Sequence, residues 1–354
     1  MKVVSVVGAR PQFVKLAPIA EAFGQGPDEH VIVHTGQHYD ARMSDVFFAD
    51  LEIPAPDVHL GVGSGSHGRQ TGSMLSAMDE VLEEHRPDWV LVYGDTNSTI
   101  AGALSAVKLH IPVAHLEAGL RSFNRAMPEE HNRVLTDHAA DLLLAPTEVA
   151  MGHLRDEGLA TRSVLVGDVM TDVCYRVRDA VKDQSPYLPD PLVPGEYVVA
   201  TVHRAENTDD PARLAAIVEA LAATASPVLL LAHPRLRARC QEYGIRVDGH
   251  PGLHVTQPLP YPEMVRAIIH SAGVVTDSGG LQKEAFLLGK PCTTLRTETE
   301  WVETLTNEWN VLLPGLDGLS KLADRPAPTS AQGAPYGKGE AAAAVLEALG
   351  ANQS

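Results

Sequence analysis

The sequence predicts an α/β protein made of two doubly wound parallel sheets. Short, continuous apolar runs alternate with helical stretches along the chain, and a proline-rich stretch at 185–195 interrupts this rhythm before it restarts. Strands that are buried on both faces of a helix-covered parallel sheet have this continuous apolar character. The length of 354 residues suits two domains of ordinary size.

The first half contains five apolar runs that we predict as strands. They are KVVSVV (2–7), HVIVHT (30–35), DWVLVY (88–93), PVAHLE (112–117) and DLLLA (141–145). Helical stretches lie between them, near 11–23, 69–85, 97–109, 129–140 and 147–157. The glycine-rich stretch GVGSGSHG, 61–68, is predicted to be a loop. The first half is therefore predicted to form one doubly wound domain.

The second half repeats the pattern. Its predicted strands are YVVAT (197–201), PVLLLA (227–232), LHVTQ (253–257) and GVVTD (273–277), with helices near 210–224, 261–270 and 281–288. A second proline-rich stretch, 325–335, precedes a final amphipathic helix in GEAAAAVLEALG. Two open α/β domains of this kind bind ligands between them, at the carboxyl ends of the strands.

The composition excludes several classes of partner. With 28 Lys and Arg against 45 Asp and Glu, the formal charge of −17 opposes binding to nucleic acid and to anionic membranes. The chain shows no signal peptide and no apolar run long enough to span a membrane, so we expect a cytoplasmic protein. Cys174, Cys240 and Cys292 match no metal-ligand spacing, and we expect reduced core residues rather than a disulfide or zinc site.

Charged residues follow the first predicted strand. In VVGARPQFVK, Pro11 starts a helix beside Arg10 and Lys15, and a helix N-terminus with adjacent cations can bind an anion. The GxGxxG pattern of dinucleotide-binding proteins is not present at this strand end, which argues against bound NAD. Solvated charges at a helix end are the alternative interpretation of Arg10 and Lys15.

Carboxylates follow the third and fourth predicted strands. Asp95 in VYGDTNST is either a functional carboxylate or part of a helix cap with its neighbours. The run HLEAGLRSFNRAMPEEHNR, 115–133, carries Glu117, Glu129 and Arg133 on separate backbone elements. A simple i, i+4 ion pair between Glu129 and Arg133 is the alternative. Arg121 and Arg125 in the same run could be solvated loop charges.

The strand ends of the second half predict a nucleotide site. In VTDSGGLQKEA, Ser278, Gly279 and Gly280 offer backbone amides at a helix start, as phosphate-binding sites do. Glu284 lies one helical turn further on, where a carboxylate can bind ribose hydroxyls, although a tight turn with a solvated Glu is the alternative. TVHRAEN and LRTETEW add His203, Arg204, Glu206, Arg296, Thr299 and Glu300.

With these motifs assembled, the sequence closely resembles the non-hydrolysing UDP-N-acetylglucosamine 2-epimerases. The matching stretches are GARPQ with Lys15, GQH (36–38), YGDTNST, HLEAGLR, PEEHNR, APTE (145–148), GDVMTD (167–172), HRAEN, DSGGLQKEA, LRTETEW and APYGKG (334–339). The resemblance implies the GT-B fold with an interdomain cleft and a homodimer. It also implies an N-terminal catalytic domain of residues 1–168 plus 337–354, and a UDP-binding domain of residues 169–336.

The resemblance further implies interconversion of UDP-GlcNAc and UDP-ManNAc by elimination and re-addition of UDP, without NAD or a metal. UDP leaves as a carboxylate removes the C2 hydrogen, and the planar glycal is then protonated on its other face. The implied catalytic residues are Asp95, Glu117, Glu129, His203, Lys15 and Arg133. The implied UDP-binding residues are Arg10, Arg204, Ser278, Gly279, Gly280, Glu284 and Arg296.

Some positions depart from the family pattern. Gln12 stands where many members have Glu, Ala205 replaces a common Arg, and Trp301 and Val302 interrupt the usual TERPE sequence. A second, activating UDP-GlcNAc, as in bacterial members, could be bound by Gln37, His38, Arg69 and Gln70. Three other functions stay open: a hydrolysing epimerase that releases ManNAc and UDP, a GT-B glycosyltransferase, and a non-catalytic nucleotide-sugar sensor.

Overall fold

The computed structural model describes residues 1–37, 53–186 and 188–352, without the side chain of Arg10. The chain forms two compact units, Met1–Val173 with Ala334–Ser354 (unit 1) and Cys174–Gly333 (unit 2). The division falls inside the helix Val169–Val181, whereas the sequence placed it at 168/169 and 336/337. Each unit is an α/β layer structure with an all-parallel sheet, so the predicted fold class is confirmed.

Unit 1 contains a seven-stranded sheet in the order β3-β2-β1-β4-β5-β6-β7. The strands are β1 (Lys2–Val7), β2 (Glu29–His34), β3 (Val58–His59), β4 (Trp89–Tyr93), β5 (Val113–Leu116), β6 (Leu142–Ala145) and β7 (Ser163–Leu165). The strand order reverses between β1 and β4, where their carboxyl ends leave a crevice beside the sheet. The strand ends of β1, β4 and β5 therefore lie next to one another.

The helices of unit 1 cover both faces of this sheet with separate apolar cores. Their bounds are Arg10–Gly24, His67–His85, Asn97–Lys108, Pro128–Ala139, Glu148–Asp156, the first part of Val169–Val181, and Ala341–Ala351. The helix Ala341–Ala351 contributes Val345 and Leu349, both fully buried, to the core around Phe13 and Leu16. The Asp172 carboxylate accepts hydrogen bonds from the first two amides of this helix, at 3.0 and 2.8 Å.

Unit 2 contains a six-stranded sheet in the order β10-β9-β8-β11-β12-β13. The strands are β8 (Val198–Thr201), β9 (Val228–Leu231), β10 (Leu253–Thr256), β11 (Gly273–Thr276), β12 (Cys292–Thr294) and β13 (Asn310–Leu312). The helices are Ala205–Thr208, Pro211–Ala222, Pro234–Tyr243, Tyr261–Ile269, Gly279–Leu287 and Leu319–Ala323. The order reverses between β8 and β11, which places the residues after these two strands side by side.

Several details differ from the sequence predictions. The strands β3, β7, β12 and β13, of two or three residues each, were not predicted, and neither were the helices Val169–Val181 and Pro234–Tyr243. The predicted loop 61–68 ends early, because a helix begins at His67. Cys174, Cys240 and Cys292 are buried and free, as expected. Within the described residues, no helix is both long and apolar enough to cross a membrane.

Candidate active site

Asp95 lies at the carboxyl end of β4 and is bound to Arg133. The Nη2 of Arg133 donates to the Asp95 carboxylate, and the side-chain amide of Asn132 donates to the Asp95 main-chain oxygen at 2.9 Å. The following helix is capped by Thr96, whose hydroxyl accepts from the Thr99 amide, so the capping interpretation of Asp95 is wrong. Two consecutive residues of the helix Pro128–Ala139 thus hold both the backbone and the carboxylate of Asp95.

Glu117 follows β5, the neighbouring strand, and is bound to Lys15. The Lys15 ammonium donates to Oε2 of Glu117, and both side chains are largely buried, with 13% and 10% exposed. Burial lowers the pKa of Lys15, but the charges of Glu117 and Asp95 more than offset it and raise that pKa above its ordinary value. Lys15 is therefore a fixed cation at the ends of two strands, rather than a solvated helix-end charge.

The backbone at these strand ends is shaped for close approach. Gly94 has φ of 60°, and a Cβ at this position would lie 3.0 Å from Nζ of Lys15 and 3.1 Å from Oε2 of Glu117. Glu117 itself has φ of 72°, an uncommon conformation for a residue with a side chain. Such conformations cost on the order of 1–3 kcal/mol and cluster at functional sites. The backbone at the end of β5 is therefore strained in the conformation that directs the Glu117 carboxylate toward Lys15.

Arg133 does not form the simple helical pair considered for it. Its Nη1 donates to Glu130 at 3.1 Å, three residues earlier, and its Nη2 binds Asp95, so the pairing with Glu129 is wrong. Glu129 is exposed near the start of the helix Pro128–Ala139 and has no ion pair among the described residues. The structure therefore brings Asp95, Arg133, Glu117 and Lys15 together, and leaves Glu129 at the surface of the same unit.

A buried charged cluster lies under the Gly94 turn. Nε2 of His115 contacts the Gly94 carbonyl at 2.7 Å, and its Nδ1 contacts Oδ1 of Asp137 at 2.6 Å. Burial raises the pKa of Asp137, but His115 and Arg121 outweigh it and keep that pKa below its ordinary value. The His115 ring thus links the Gly94 turn to the buried Asp137 carboxylate.

Arg121 completes this cluster. It binds Asp137 at 2.7 Å and also Glu157, through Nε at 2.7 Å and Nη2 at 2.8 Å. Its side chain is 1% exposed, so the interpretation of Arg121 as a solvated loop charge is wrong. Arg125 is exposed, as that interpretation expected.

Gln12 explains one departure from the family pattern. Its side-chain oxygen accepts from the Gly8 and Ala9 amides at 2.8 and 3.0 Å, and its side-chain nitrogen donates to the Tyr93 carbonyl at 2.9 Å. An ionised Glu could accept but not donate, so an amide suits this position better. Arg10 begins the helix Arg10–Gly24, but its side chain lies outside the described part of the chain.

Two of the four residues considered for a second ligand are linked to Asp95 by hydrogen bonds. Gln70 donates to the Gln37 carbonyl at 3.2 Å and accepts from Asn97 at 2.8 Å. The Asn97 side-chain oxygen in turn accepts from the Asn132 side chain at 3.4 Å. Asn132 is the residue that donates to the Asp95 main-chain oxygen. Arg69 is exposed. His38 lies outside the described residues.

In unit 2, the end of β8 is fastened to Asp277 after β11. The fully buried Asp277 carboxylate accepts from the amides of His203 and Arg204 and contacts Nδ1 of His203 at 3.1 Å. Burial raises the pKa of Asp277, but the bonds to His203, Asn207 and Arg204 lower it overall. Asp277 therefore orients the His203 ring, whose side chain is 36% exposed.

The glycines of the SGG stretch have different surroundings. Ser278 caps the helix Gly279–Leu287 by accepting from the Leu281 amide. A Cβ at Gly279 would clash with Oε1 of Glu300, whereas a Cβ at Gly280 would meet nothing within 4 Å. A side chain at Gly279 would therefore require the Glu300 carboxylate, which Arg296 binds, to move. The open space at Gly280 suits the close approach of a ligand to the helix start.

Carboxylates and cations surround this helix start. Glu300 is bound by Arg296 at 2.9 Å, and Arg296 and then Arg204 hold the pKa of Glu300 below its ordinary value although burial raises it. Glu284 is 6% exposed, so the alternative of a solvated Glu is wrong. Burial and the Glu284 charge raise the pKa of the nearby Tyr261 hydroxyl. Trp301, which departs from the family pattern, has its ring centroid 3.8 Å from Nζ of Lys283.

A sequence model of the family described as UDP-N-acetylglucosamine 2-epimerase matches residues 22–350 of this chain. The chain belongs to this family. It is therefore an epimerase with the two parallel-sheet α/β units of that family. The resemblance to the UDP-N-acetylglucosamine 2-epimerases is confirmed.

Three relatives of this epimerase illustrate the match. A UDP-N-acetylglucosamine 2-epimerase homolog of Methanococcus maripaludis is 44% identical, with 99% of each chain covered. A UDP-2,3-diacetamido-2,3-dideoxy-D-glucuronate 2-epimerase of Pseudomonas aeruginosa is 46% identical, again with 99% of each chain covered. The crystal structure of the Methanocaldococcus jannaschii UDP-GlcNAc 2-epimerase, in complex with UDP-GlcNAc and UDP, has a TM-score of 0.85 and 36% identity, covering 99% of this chain and 100% of that one.

Some residues that organise the candidate site of this epimerase were not assigned from the sequence. His115 and Glu130 lie in the charged run 115–133, but that run did not indicate which of its members are buried. Asp277 stands directly after β11, and its strand-end position was the available signal. Across the described part of the chain, no group of three His, Cys, Asp or Glu residues is arranged to hold a metal ion.

Proposed function

We propose that this epimerase interconverts UDP-GlcNAc and UDP-ManNAc by elimination and re-addition of UDP. The observation that supports it is the pair of carboxylates at adjacent strand ends, Asp95 and Glu117, each bound to a buried cation. We assign to these two carboxylates the proton transfers at C2 of the bound sugar, since carboxylates act as general acids and bases. The relative of known structure that was crystallised with UDP-GlcNAc supports the same substrate.

The proposed reaction has two steps. One carboxylate takes the C2 proton, the C1–O bond breaks, and UDP leaves with the bonding electrons to give 2-acetamidoglucal. A proton then adds to C2 from the opposite face, while a UDP oxygen forms the C1–O bond again. We assign to His203, which Asp277 orients, the role of supporting the charge that develops on the leaving diphosphate.

The proposal extends to cofactors and assembly. We expect no NAD and no metal in the reaction, because the elimination needs only proton transfer and charge stabilisation. We also expect a homodimer, which the family resemblance implies. The edge strand β7 exposes the apolar side chains Val164 and Leu165, which a second subunit could cover. Sedimentation equilibrium should give twice the monomer mass.

Incubation with UDP-GlcNAc in heavy water tests the proposal. We expect UDP-ManNAc with the nucleotide attached and with deuterium at C2, and the same rate with EDTA and without added NAD. Free ManNAc and an equal amount of UDP would instead establish the hydrolysing reaction. Unchanged UDP-GlcNAc without deuterium would contradict both reactions on this substrate.

A second substrate is favoured by one specific observation. The Pseudomonas aeruginosa relative, 46% identical over almost the whole chain, acts by its name on a nucleotide sugar with acetamido groups at C2 and C3 and a carboxylate at C6. The C2 chemistry would be the same in this chain. Comparing kcat/KM for UDP-GlcNAc and for the diacetamido glucuronate separates the two, and a higher value for the second would replace our first assignment.

A further inference from the structure

Glu130 lies in the charged run 115–133 and takes no part in the proposed proton transfers. Its side chain is 7% exposed. The carboxylate accepts four hydrogen bonds: from the Ser122 amide and hydroxyl, both at 2.9 Å, from the Phe123 amide at 2.9 Å, and from Nη1 of Arg133 at 3.1 Å. Burial of this carboxylate without such partners would be costly.

The Glu130 carboxylate is ionised near neutral pH. Burial raises the pKa of Glu130, but the bonds from Ser122 and Phe123 and the Arg133 charge lower it overall. Two anions therefore share one guanidinium, because Arg133 binds Glu130 through Nη1 and Asp95 through Nη2. A guanidinium held at two of its nitrogens has little rotational freedom.

The turn that Glu130 holds lies between Glu117 and Glu129 in the chain. Phe123 has φ of 57°, a strained backbone conformation for a residue with a side chain. Its ring is 73% exposed, so burial of the ring does not compensate for this strain. The two amide bonds to Glu130 hold this turn in place. One carboxylate thus binds the Ser122–Phe123 turn and also the arginine that binds Asp95.

We propose that Glu130 is a positioning residue for the epimerase reaction, which aligns Asp95 through Arg133 and orders the Ser122–Phe123 turn. The inference rests on the proposed function and adds a residue to it. In the proposed mechanism, Glu130 does not contact the sugar. Its effect passes through Arg133, so that removal of its charge leaves Asp95 bound by a guanidinium that is free to rotate.

The main test is Glu130→Gln, which keeps the shape but replaces one acceptor oxygen with a donor. We expect C2 deuterium incorporation to fall on the order of tenfold or more in kcat, with the affinity for UDP changed less than about twofold. Ser122→Ala, which removes the hydroxyl bond and leaves the two amide bonds and the Arg133 contact, should stay within about threefold of the parent. Equal kcat for Glu130→Gln and the parent would overturn the proposal.

A double-mutant cycle separates positioning from a merely structural role. Once Arg133→Lys has removed the forked contact, adding Glu130→Gln should lower kcat by less than about twofold further, because the two residues act as one unit. Full additivity of the two losses would show that Glu130 acts independently of Arg133, and would contradict the inference. Thermal melting of every variant checks that each is folded under the assay conditions.

Amide hydrogen exchange provides a measurement that does not depend on the substrate. In the free protein, the Ser122 and Phe123 amides should exchange at least about tenfold faster in Glu130→Gln than in the parent. If the parent shows no C2 exchange with either nucleotide sugar, the proposed function fails, while amide exchange still tests the Glu130 contacts. Unchanged protection of both amides would overturn the positioning role even if activity fell.

Discussion

At the scale of single residues, Glu117 combines a strained backbone with a carboxylate bound to Lys15. Glu117→Gln keeps the size of the side chain but cannot take a proton, so we expect C2 exchange to fall by about a hundredfold or more. UDP affinity measured by calorimetry should stay close to that of the parent. Normal turnover in the variant would remove Glu117 from the mechanism.

His115 offers a second prediction at this scale, on stability. His115→Phe removes the ring contacts to Asp137 and to the Gly94 carbonyl, while Asp137 keeps Arg121 and the Gly119 amide, so the variant should lose about 1–3 kcal/mol of unfolding free energy. His138→Phe is the matched control, because His138 also pairs with a carboxylate, at 3.1 Å from Glu157, but its side chain is 48% exposed. Urea unfolding should show less than about 1 kcal/mol for that control. Equal losses in the two variants would contradict the role of burial.

The sequence predicted these residues unevenly. Asp95, Glu117 and Lys15 were identified because each stands at or near a strand end that the apolar runs located. The pairings were not predictable, since Glu129 and Glu130 are adjacent and only the helix orientation decides which of them meets Arg133. Asp137 gave no local signal, because its partner His115 comes from a strand twenty-two residues earlier.

At the scale of secondary-structure elements, the start of the helix Gly279–Leu287 contains a natural comparison. Gly279→Ala forces Glu300 to move and should lower both stability and UDP affinity. Gly280→Ala meets no protein atom, so its stability should be unchanged or raised by up to about 1 kcal/mol through helix propensity. UDP affinity of Gly280→Ala should nevertheless fall if the diphosphate approaches this turn. Unaltered affinity in that variant would place the diphosphate elsewhere.

The strands β1 and β2 provide a prediction about pH. His30 on β2 stacks on Phe23 and its ring nitrogen contacts the Ser5 hydroxyl at 2.8 Å, and burial lowers the pKa of His30 from 6.5 to about 4. Between about pH 4 and 6.5, His30 therefore binds a proton in the unfolded chain but not in the folded chain. Above about pH 6.5, His30 is neutral in both states and does not reduce the unfolding free energy. As the pH decreases from 6.5 to 4, the unfolding free energy should fall by about 2–3 kcal/mol.

His30→Gln removes the titrating group, so its unfolding free energy should lose this part of the pH dependence. Chemical unfolding of the parent and the variant at pH 4, 5, 6 and 7 measures the difference. Parallel curves for the two proteins would show that another group is responsible.

Elements were predictable where the apolar pattern was long enough. The strands β1, β4 and β9 have four or five buried residues each and were located within one or two residues. The strands β12 and β13 have three residues each. Such short segments contain too few residues to show an apolar pattern that distinguishes a strand from a loop. Their pairing in the sheet comes from tertiary contacts.

At the scale of the whole molecule, the two units have separate cores, and each can be weakened alone. Leu349→Ala in the helix Ala341–Ala351 should destabilise unit 1 by about 2–5 kcal/mol, because Leu349 is fully buried. Leu221→Ala, at 1% exposure in the core of unit 2, is the matched control. Hydrogen exchange followed by mass spectrometry should show faster exchange in Arg10–Gly24 for the first variant, and in Pro211–Ala222 for the second. Faster exchange of both units in both variants would show that they unfold together.

The helix Ala341–Ala351 completes the core of unit 1, although the whole of unit 2 lies before it in the chain. Domains generally fold as units while synthesis proceeds, at about 5–20 residues per second. On the ribosome, unit 2 can therefore finish folding first, while the earlier strands wait with an uncovered apolar face for a segment made later. Chaperones that shield apolar surface would be needed most during that interval.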